Sequence, residues 1–291
     1  MNDFDKARDA IPYESLLSLD KYMLGKLSQT LIEVDAAYSS YDYSAVVAAL
    51  LRFATSDLSN FYLDVAKDRL YISETDEFRR RSCQTVIDLV LEGLTIAMAP
   101  VLPHLAEDIY QHVKKDKEKK ESVFEKTWPT HLHDFESGNT FAQWDLVRKL
   151  RDDSNKALEV ARGTKLVGAS LDAEVYVNCP DPLKAAVLKA LLLDSTGHRV
   201  DDLKYALMVS KVHFVEGGEQ AVADKCDAKH IVKSAESESG CDVGVKRADG
   251  MKCERCWYFD ESVGSKKHTH TDLCRVCDCV TTKMGFVKKT A

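Results

Sequence analysis

Cys253, Cys256, Cys274 and Cys277 stand in two C-x-x-C pairs, within KCERC and LCRVC, with 17 residues between the pairs. A two-residue gap lets a tight turn aim both sulfurs of a pair at one ion, and the separation falls in the range of zinc ribbons and knuckles. Four thiolates close the shell of a single Zn2+ and leave no position for an activated water. The ion expected here is therefore structural and performs no hydrolysis. A lone C-x-x-C can instead be a thioredoxin-like redox pair, but that chemistry needs a βαβ setting, which the neighbouring sequence lacks. Cys279, His268 and His270 lie beside the second pair. Each can substitute as a ligand; with the tetrad complete, the expectation is that they face solvent or brace a ligand from outside.

Arg255, Trp257, Tyr258 and Phe259 sit at the first pair. A guanidinium and an indole on a rigid metal knuckle can contact phosphate and stack on an unpaired base, which is how single-stranded RNA loops are read. The competing reading is that Trp257 and Phe259 only cover a core too small for zinc to fill. Residue type alone leaves both open.

The chain has 291 residues and nine cysteines, five of them within 27 residues, and its opening MNDFDKARDAIPYE has neither an apolar signal core nor the look of a transit peptide. Thiolate metal binding is thus favoured over a disulfide framework, and the scattered Cys83, Cys179, Cys226 and Cys241 are expected to be inert thiols. With 45% hydrophobic and 30% charged residues, most of the chain should fold, as two or three domains. It has no apolar run of membrane-spanning length, so no membrane partner is expected. A net charge of -7 argues against unspecific attraction to nucleic acid. From Lys246 to Ala291, however, ten basic residues face six acidic ones, which suits either a phosphate-facing patch or a solvated tail.

The elements that must position these residues read as follows. Apolar stripes predict helices over 13–38, 42–71 (capped by Asp42 or Ser44), 78–98 and, after the break at Pro100 and Pro103, 104–113. Together they make an antiparallel helix bundle. Lys114–Glu121, KKDKEKKE, reads as a solvated turn. A further helix is expected over 141–162. Strands are expected at Leu171–Val177 and Leu203–Val209, flanking a helix over 181–193 that starts at Pro182. The resulting fold class is mainly α: a helical domain over 1–138, a helix plus small α/β junction domain over 139–215, a linker over 216–245, and a four-cysteine zinc finger over 246–291.

At KCERCWYFDESVGSKKHTHTDLCRVC the sequence resembles the C-terminal end of bacterial-type isoleucyl-tRNA synthetase, a class I aminoacyl-tRNA synthetase also used in organelles. NDF, YDYSAVVAALLRFATSDLSNFYLDVAKDRLY, GLTIAMAPVLPHLAEDIY, TWPT and RDDSNKALEVARGTKLVGASLDAEVYV extend the resemblance over nearly the whole chain. It implies an anticodon-binding portion that recognises the anticodon stem-loop of isoleucine tRNA in translation, with one zinc ion held by Cys253, Cys256, Cys274 and Cys277. By motif position Arg255 and Trp257 match family residues near the anticodon loop, so they are the expected RNA-binding residues. The family often has Arg just before its last zinc cysteine. Here Val276 stands there and Arg275 comes one earlier, so no phosphate contact carries over to that half. The resemblance also implies a monomer and a chloroplast or mitochondrial location, or otherwise a cytoplasmic one.

The HIGH-type and KMSKS-type signatures with which the family uses ATP are missing, as is any G-K-[ST] phosphate loop. The expectation is a fragment without catalytic residues or editing domain that does not aminoacylate alone, whose catalytic half is supplied separately. The alternative is a zinc-stabilised remnant that acts as a protein-interaction module. Pairs such as His104 with Glu107, or Asp57 with Asp64, read as surface charge, because no nucleophile or phosphate cradle accompanies them.

Overall fold

A computed structural model describes residues 3–113, 122–135, 138–191 and 202–285. The Lys114–Glu121 turn and the end of the helix expected over 181–193 lie outside the described residues. The chain is mostly helical, with a small sheet and a C-terminal cysteine cluster. Among the described residues no helix is long and apolar enough to cross a membrane. Contacts divide the chain into two units: Met1–Leu70 with Thr75–Phe141, and Tyr71–Glu74 with Ala142–Ala291.

In the first unit, α1 (Lys6–Asp9) is capped by Asp5 and precedes α2 (Ser18–Ser39). Leu24, Leu27, Leu31 and Val34 recur at helical spacing along α2 and are fully buried. Helix α3 (Tyr43–Arg52) folds back on α2 after a three-residue turn in which Tyr41 takes a left-handed φ of 58°. Asp42 caps α3 by accepting from Ala45 N at 3.0 Å. The winding then loosens into a π-helix over Phe53–Leu63 and tightens again in α4 (Asp64–Tyr71).

Helix α5 (Phe78–Met98) also packs on α2, and Gly93 permits the approach. A Cβ there would lie 3.1 Å from Leu132 Cδ1 and 3.4 Å from the Cδ1 atoms of Leu27 and Leu31. Pro103 opens α6 (Pro103–His112), where its missing N–H costs nothing. A buried ion pair braces this core. Arg69 Nη1 donates to Asp20 Oδ1 at 2.9 Å and Oδ2 at 3.1 Å, and Tyr62 Oη and Ser82 Oγ fill the remaining lone pairs of that carboxylate.

Helix α7 (Asn139–Gly163) leads into the second unit, which is built on β1 (Ala173–Asn178). Helix α8 (Pro182–Ala190) follows, with Asp181 accepting from Leu183 N at 2.9 Å as its cap. The strand expected at Leu203–Val209 is instead helix α9 (Asp202–Leu207). Leu203, Ala206 and Leu207 are its buried residues, a spacing of three and four that belongs to a helix. The alternation of Leu203, Tyr205, Leu207 and Val209 coincided with that stripe without forming a sheet face. The strand is β2 (Lys211–Phe214), which pairs parallel to β1.

The stretch 216–245, expected as a linker, holds α10 (Gly218–Ala223), β3 (Ile231–Val232) and most of β4 (Asp242–Arg247). The sheet order is β2-β1-β4-β3, with β4 antiparallel to both neighbours. Two features draw this polar stretch into the fold. Buried Asp153 of α7 accepts from Glu238 N at 3.0 Å, Ser239 N at 2.9 Å and Ser239 Oγ at 2.7 Å. Gly244 lets α10 lie against β4, since a Cβ there would come within 2.5 Å of Val222 Cγ1.

Candidate metal centre and nucleic-acid interface

The knuckle is a short hairpin, β5 (Met251–Lys252) against β6 (Phe259–Asp260), followed by a loop and α11 (Arg275–Lys283). Gly250 turns the chain from β4 into β5 at φ 90°; a Cβ there would sit 2.6 Å from the Asp260 carbonyl carbon, so only glycine fits. At the hairpin tip Cys253 N donates to Tyr258 O at 2.9 Å and Trp257 N to Cys253 O at 2.9 Å. These bonds fold the C-x-x-C turn so that both sulfurs point to one place. Cys274 is the residue before α11 and Cys277 lies in its first turn, which brings the second pair to the same place.

All four sulfurs lie within 4.8 Å of one another, and Cys256 Sγ is 3.8 Å from Cys274 Sγ. A tetrahedron of Zn–S bonds has an edge of about 3.8 Å. The sulfurs are buried apart from the half-buried Cys256, and Cys274 N donates to Cys253 Sγ at 3.3 Å. Hydrogen bonds from Cys256, Cys274 and Cys277 push the Cys253 thiol down, while that same bond to Cys253 pushes Cys256 up. Four thiolates this close need a cation to ionise together, and the four cysteines are placed to hold one.

The residues beside the second pair hold the loop. Asp278 accepts from His270 N at 2.8 Å, His270 Nδ1 at 3.0 Å and Thr269 N at 3.2 Å. His268 Nδ1 contacts Leu273 O at 3.1 Å, and Cys279 is exposed on α11. The ligand-forming group found among the described residues contains none of these three. Val263 and Leu273 pack with the cysteines, and Ile72 joins them from the segment Tyr71–Glu74 of the same unit.

Arg255 and Trp257 have different surroundings. The Arg255 guanidinium is half-buried; Nη1 donates to Ile72 O at 2.8 Å and reaches Cys277 Sγ at 3.7 Å, while Nη2 donates to Tyr71 O at 3.3 Å. Sequence reasoning missed this clamp. Trp257 is 61% exposed and takes no part in the knuckle core; Lys252 Nζ lies 5.7 Å from its ring centroid. Its φ of 67° is left-handed, a conformation that costs a residue with a side chain about 1–2 kcal/mol. The buried aromatic is Tyr258, which meets Tyr205 edge to face at 5.7 Å. Glu107, one of the carboxylates read as surface charge, accepts from Ser122 Oγ and Val123 N at 2.9 Å each, a purely structural task.

Comparison with known proteins adds two findings. Residues 20–177 match the family model described as the anticodon-binding domain of tRNA ligase. The chain is also 40% identical over 283 residues to the isoleucine–tRNA ligase of Crocosphaera subtropica, an alignment covering 96% of this chain and 28% of that enzyme. For the isoleucine–tRNA ligase of Gloeobacter violaceus the identity is 41% over 277 residues, covering 95% of this chain and 26% of the enzyme. The chain thus spans about 28% of the length of the Crocosphaera relative.

Proposed function

Because this chain belongs to the anticodon-binding domain family of tRNA ligases, we propose that it is the tRNA-binding C-terminal part of an isoleucine–tRNA ligase. In this reading it holds the anticodon stem-loop of isoleucine tRNA, and one structural zinc ion fills the Cys253, Cys256, Cys274 and Cys277 tetrad. The carrying observation is Trp257: a large indole held out to solvent in a strained conformation on an anchored knuckle. A ring presented that way offers a face on which an unpaired base stacks. Arg255 belongs to the same proposed interface, with its guanidinium partly committed to the carbonyls of Tyr71 and Ile72.

The ATP-dependent step would belong to a catalytic part outside these residues. ATP–pyrophosphate exchange with isoleucine, assayed on this chain alone, is expected to give background. An organellar location, the one the family resemblance implies, is read out by detecting the chain in fractionated chloroplasts and mitochondria. The central test is a binding titration at stated salt with isoleucine tRNA and an unrelated tRNA. Tighter binding of the former is expected; equal binding of both would sink the reading.

One observation favours a second reading, a protein-interaction module. Tyr43, Val47 and Leu51 form an exposed apolar row at helical spacing on α3. Retained protein binding by a chain without RNA affinity would select it.

A further inference from the structure

Away from the knuckle, the end of α7, the segment after α10 and strand β4 enclose a cavity of about 360 Å³ lined by Thr164, Lys165, Lys225, Lys229, His230 and Lys246, among others. A neighbouring cavity of about 390 Å³ shares Lys165 and adds Arg162 and Arg247. Six basic residues thus line the two cavities of the α/β unit, where Asp172 and Asp227 are the only acidic lining residues. The whole chain carries -7, so this concentration runs against its overall charge.

Helix-end electrostatics explains part of the cluster. Arg162 and Lys165 stand at the C-terminus of α7, where cations complement the helix dipole. Lys225, Lys229, Lys246 and Arg247 do not belong to that helix. Lys229 pairs with Asp227 at 3.0 Å and Lys246 with Asp249 at 2.9 Å, whereas Lys165 and Lys225 pair with no carboxylate among the described residues. Lys165 also has a left-handed φ of 59°, a place where glycine would be free of strain.

His230 also lines the first of these cavities. His230 is 2% exposed, and its Nδ1 has no hydrogen-bond partner. Its Nε2 lies 2.8 Å from Thr164 Oγ1. That hydroxyl donates to Ala161 O at 3.1 Å, so Nε2 carries the ring proton and donates to Oγ1, and Nδ1 is a buried acceptor. The cavity supplies lysines and a hydroxyl but no aromatic residue to hold a base.

We infer that this basic cavity is a second nucleic-acid contact, a seat for a phosphate of the RNA backbone, with Lys165 and Lys225 supplying the charge. The inference rests on the tRNA-binding reading and extends it to a face that reads no sequence. Lysine point charges suit a phosphodiester at any base, so the contact should add affinity and salt dependence equally for all tRNAs.

The test is a salt series of tRNA binding by the full chain and by a Lys165→Gln/Lys225→Gln variant. Both lysines are exposed, so the variant should keep its thermal midpoint and metal content. The slope of log affinity against log salt is expected to shrink by about 1, for the one phosphate no longer neutralised, for isoleucine tRNA and an unrelated tRNA alike. An unchanged slope overturns the phosphate seat while tRNA binding itself stands. A wild-type chain that binds no tRNA overturns the underlying reading instead.

Discussion

Arg255 Nη1 donates to the carbonyl of Ile72 at 2.8 Å while standing 3.7 Å from Cys277 Sγ, so one guanidinium joins a segment 183 residues upstream to the cysteine tetrad. Two kinds of partner share this cation. The carbonyls of Tyr71 and Ile72 fix its plane, and the sulfur gains a positive neighbour that offsets the charge a filled thiolate cluster carries.

Arg255→Ala should therefore weaken metal binding by about tenfold or more, the usual penalty for losing a brace outside the ligand shell. It should also lower the stability of the second unit by about 1–2 kcal/mol. Competition with a chromogenic chelator and equilibrium unfolding read the two effects. Arg255→Lys keeps the charge but not the fork, and should recover only part of either. A variant that loses RNA affinity with metal affinity and stability intact would assign Arg255 to the RNA alone.

Metal removal should act locally. The first unit rests on Leu24, Leu27, Leu31 and Val34 and contains none of the four tetrad cysteines. Stripping with a strong chelator, or Cys274→Ser, should abolish amide protection over 251–283 and leave the protection of α2 and α5 unchanged. Far-UV circular dichroism should change little, because the only helix at stake is the nine-residue α11. Persistent protection in the stripped knuckle would mean that the small cluster around Val263 and Leu273 suffices without an ion.

These features were unevenly legible in the sequence. Helix α5 runs over the predicted 78–98 because its stripe is long and proline follows it. The cysteine tetrad was legible because ligand spacing is a local property. Leu203–Val209 misled because Leu203, Tyr205, Leu207 and Val209, each two apart, satisfy a strand rule while Leu203, Ala206 and Leu207 satisfy the helix rule that governs. Gly244 looked like a linker residue, although its missing side chain is what admits Val222. Partners far apart in sequence left no local pattern: the carbonyls that Arg255 grips, and the convergence of Lys165, Lys225, His230 and Lys246 on one cavity.

Acid should weaken the first unit through Asp3. Arg80 is the main cause holding the Asp3 carboxyl well below the usual carboxylate range; Arg80 Nη2 donates to Asp3 Oδ1 at 3.0 Å, and Gln84 Nε2 adds a bond at 3.2 Å. A folded-state value depressed below the unfolded one gives stability that is complete above the ordinary range near pH 4 and is lost as pH falls through the folded value. The side chain is 36% exposed, so solvent screening reduces the gain to about 1 kcal/mol. Asp3→Asn should accordingly cost about that much at pH 7 and nothing near pH 1, as measured by denaturant midpoints along the pH axis. A gap between the two proteins that stays constant with pH would show that the carboxylate charge is irrelevant there.

Trp257 sets stability against binding. At φ 67° a residue with a Cβ is strained, and glycine is not, so Trp257→Gly should leave the knuckle about 1 kcal/mol more stable than Trp257→Ala, which keeps the strain and loses the ring. The indole is largely solvent-exposed, so neither variant should lose much packing. Both should lose RNA affinity by the same amount, about 1–3 kcal/mol for one stacked base. Thermal midpoints of the metal-loaded chain and RNA titrations on both variants separate the two effects. If glycine is no more stable than alanine, the strain is not real; if neither variant loses affinity, the ring stacks on nothing. Higher stability joined to weaker binding is the outcome expected of a side chain kept for recognition at a position whose backbone favours having none.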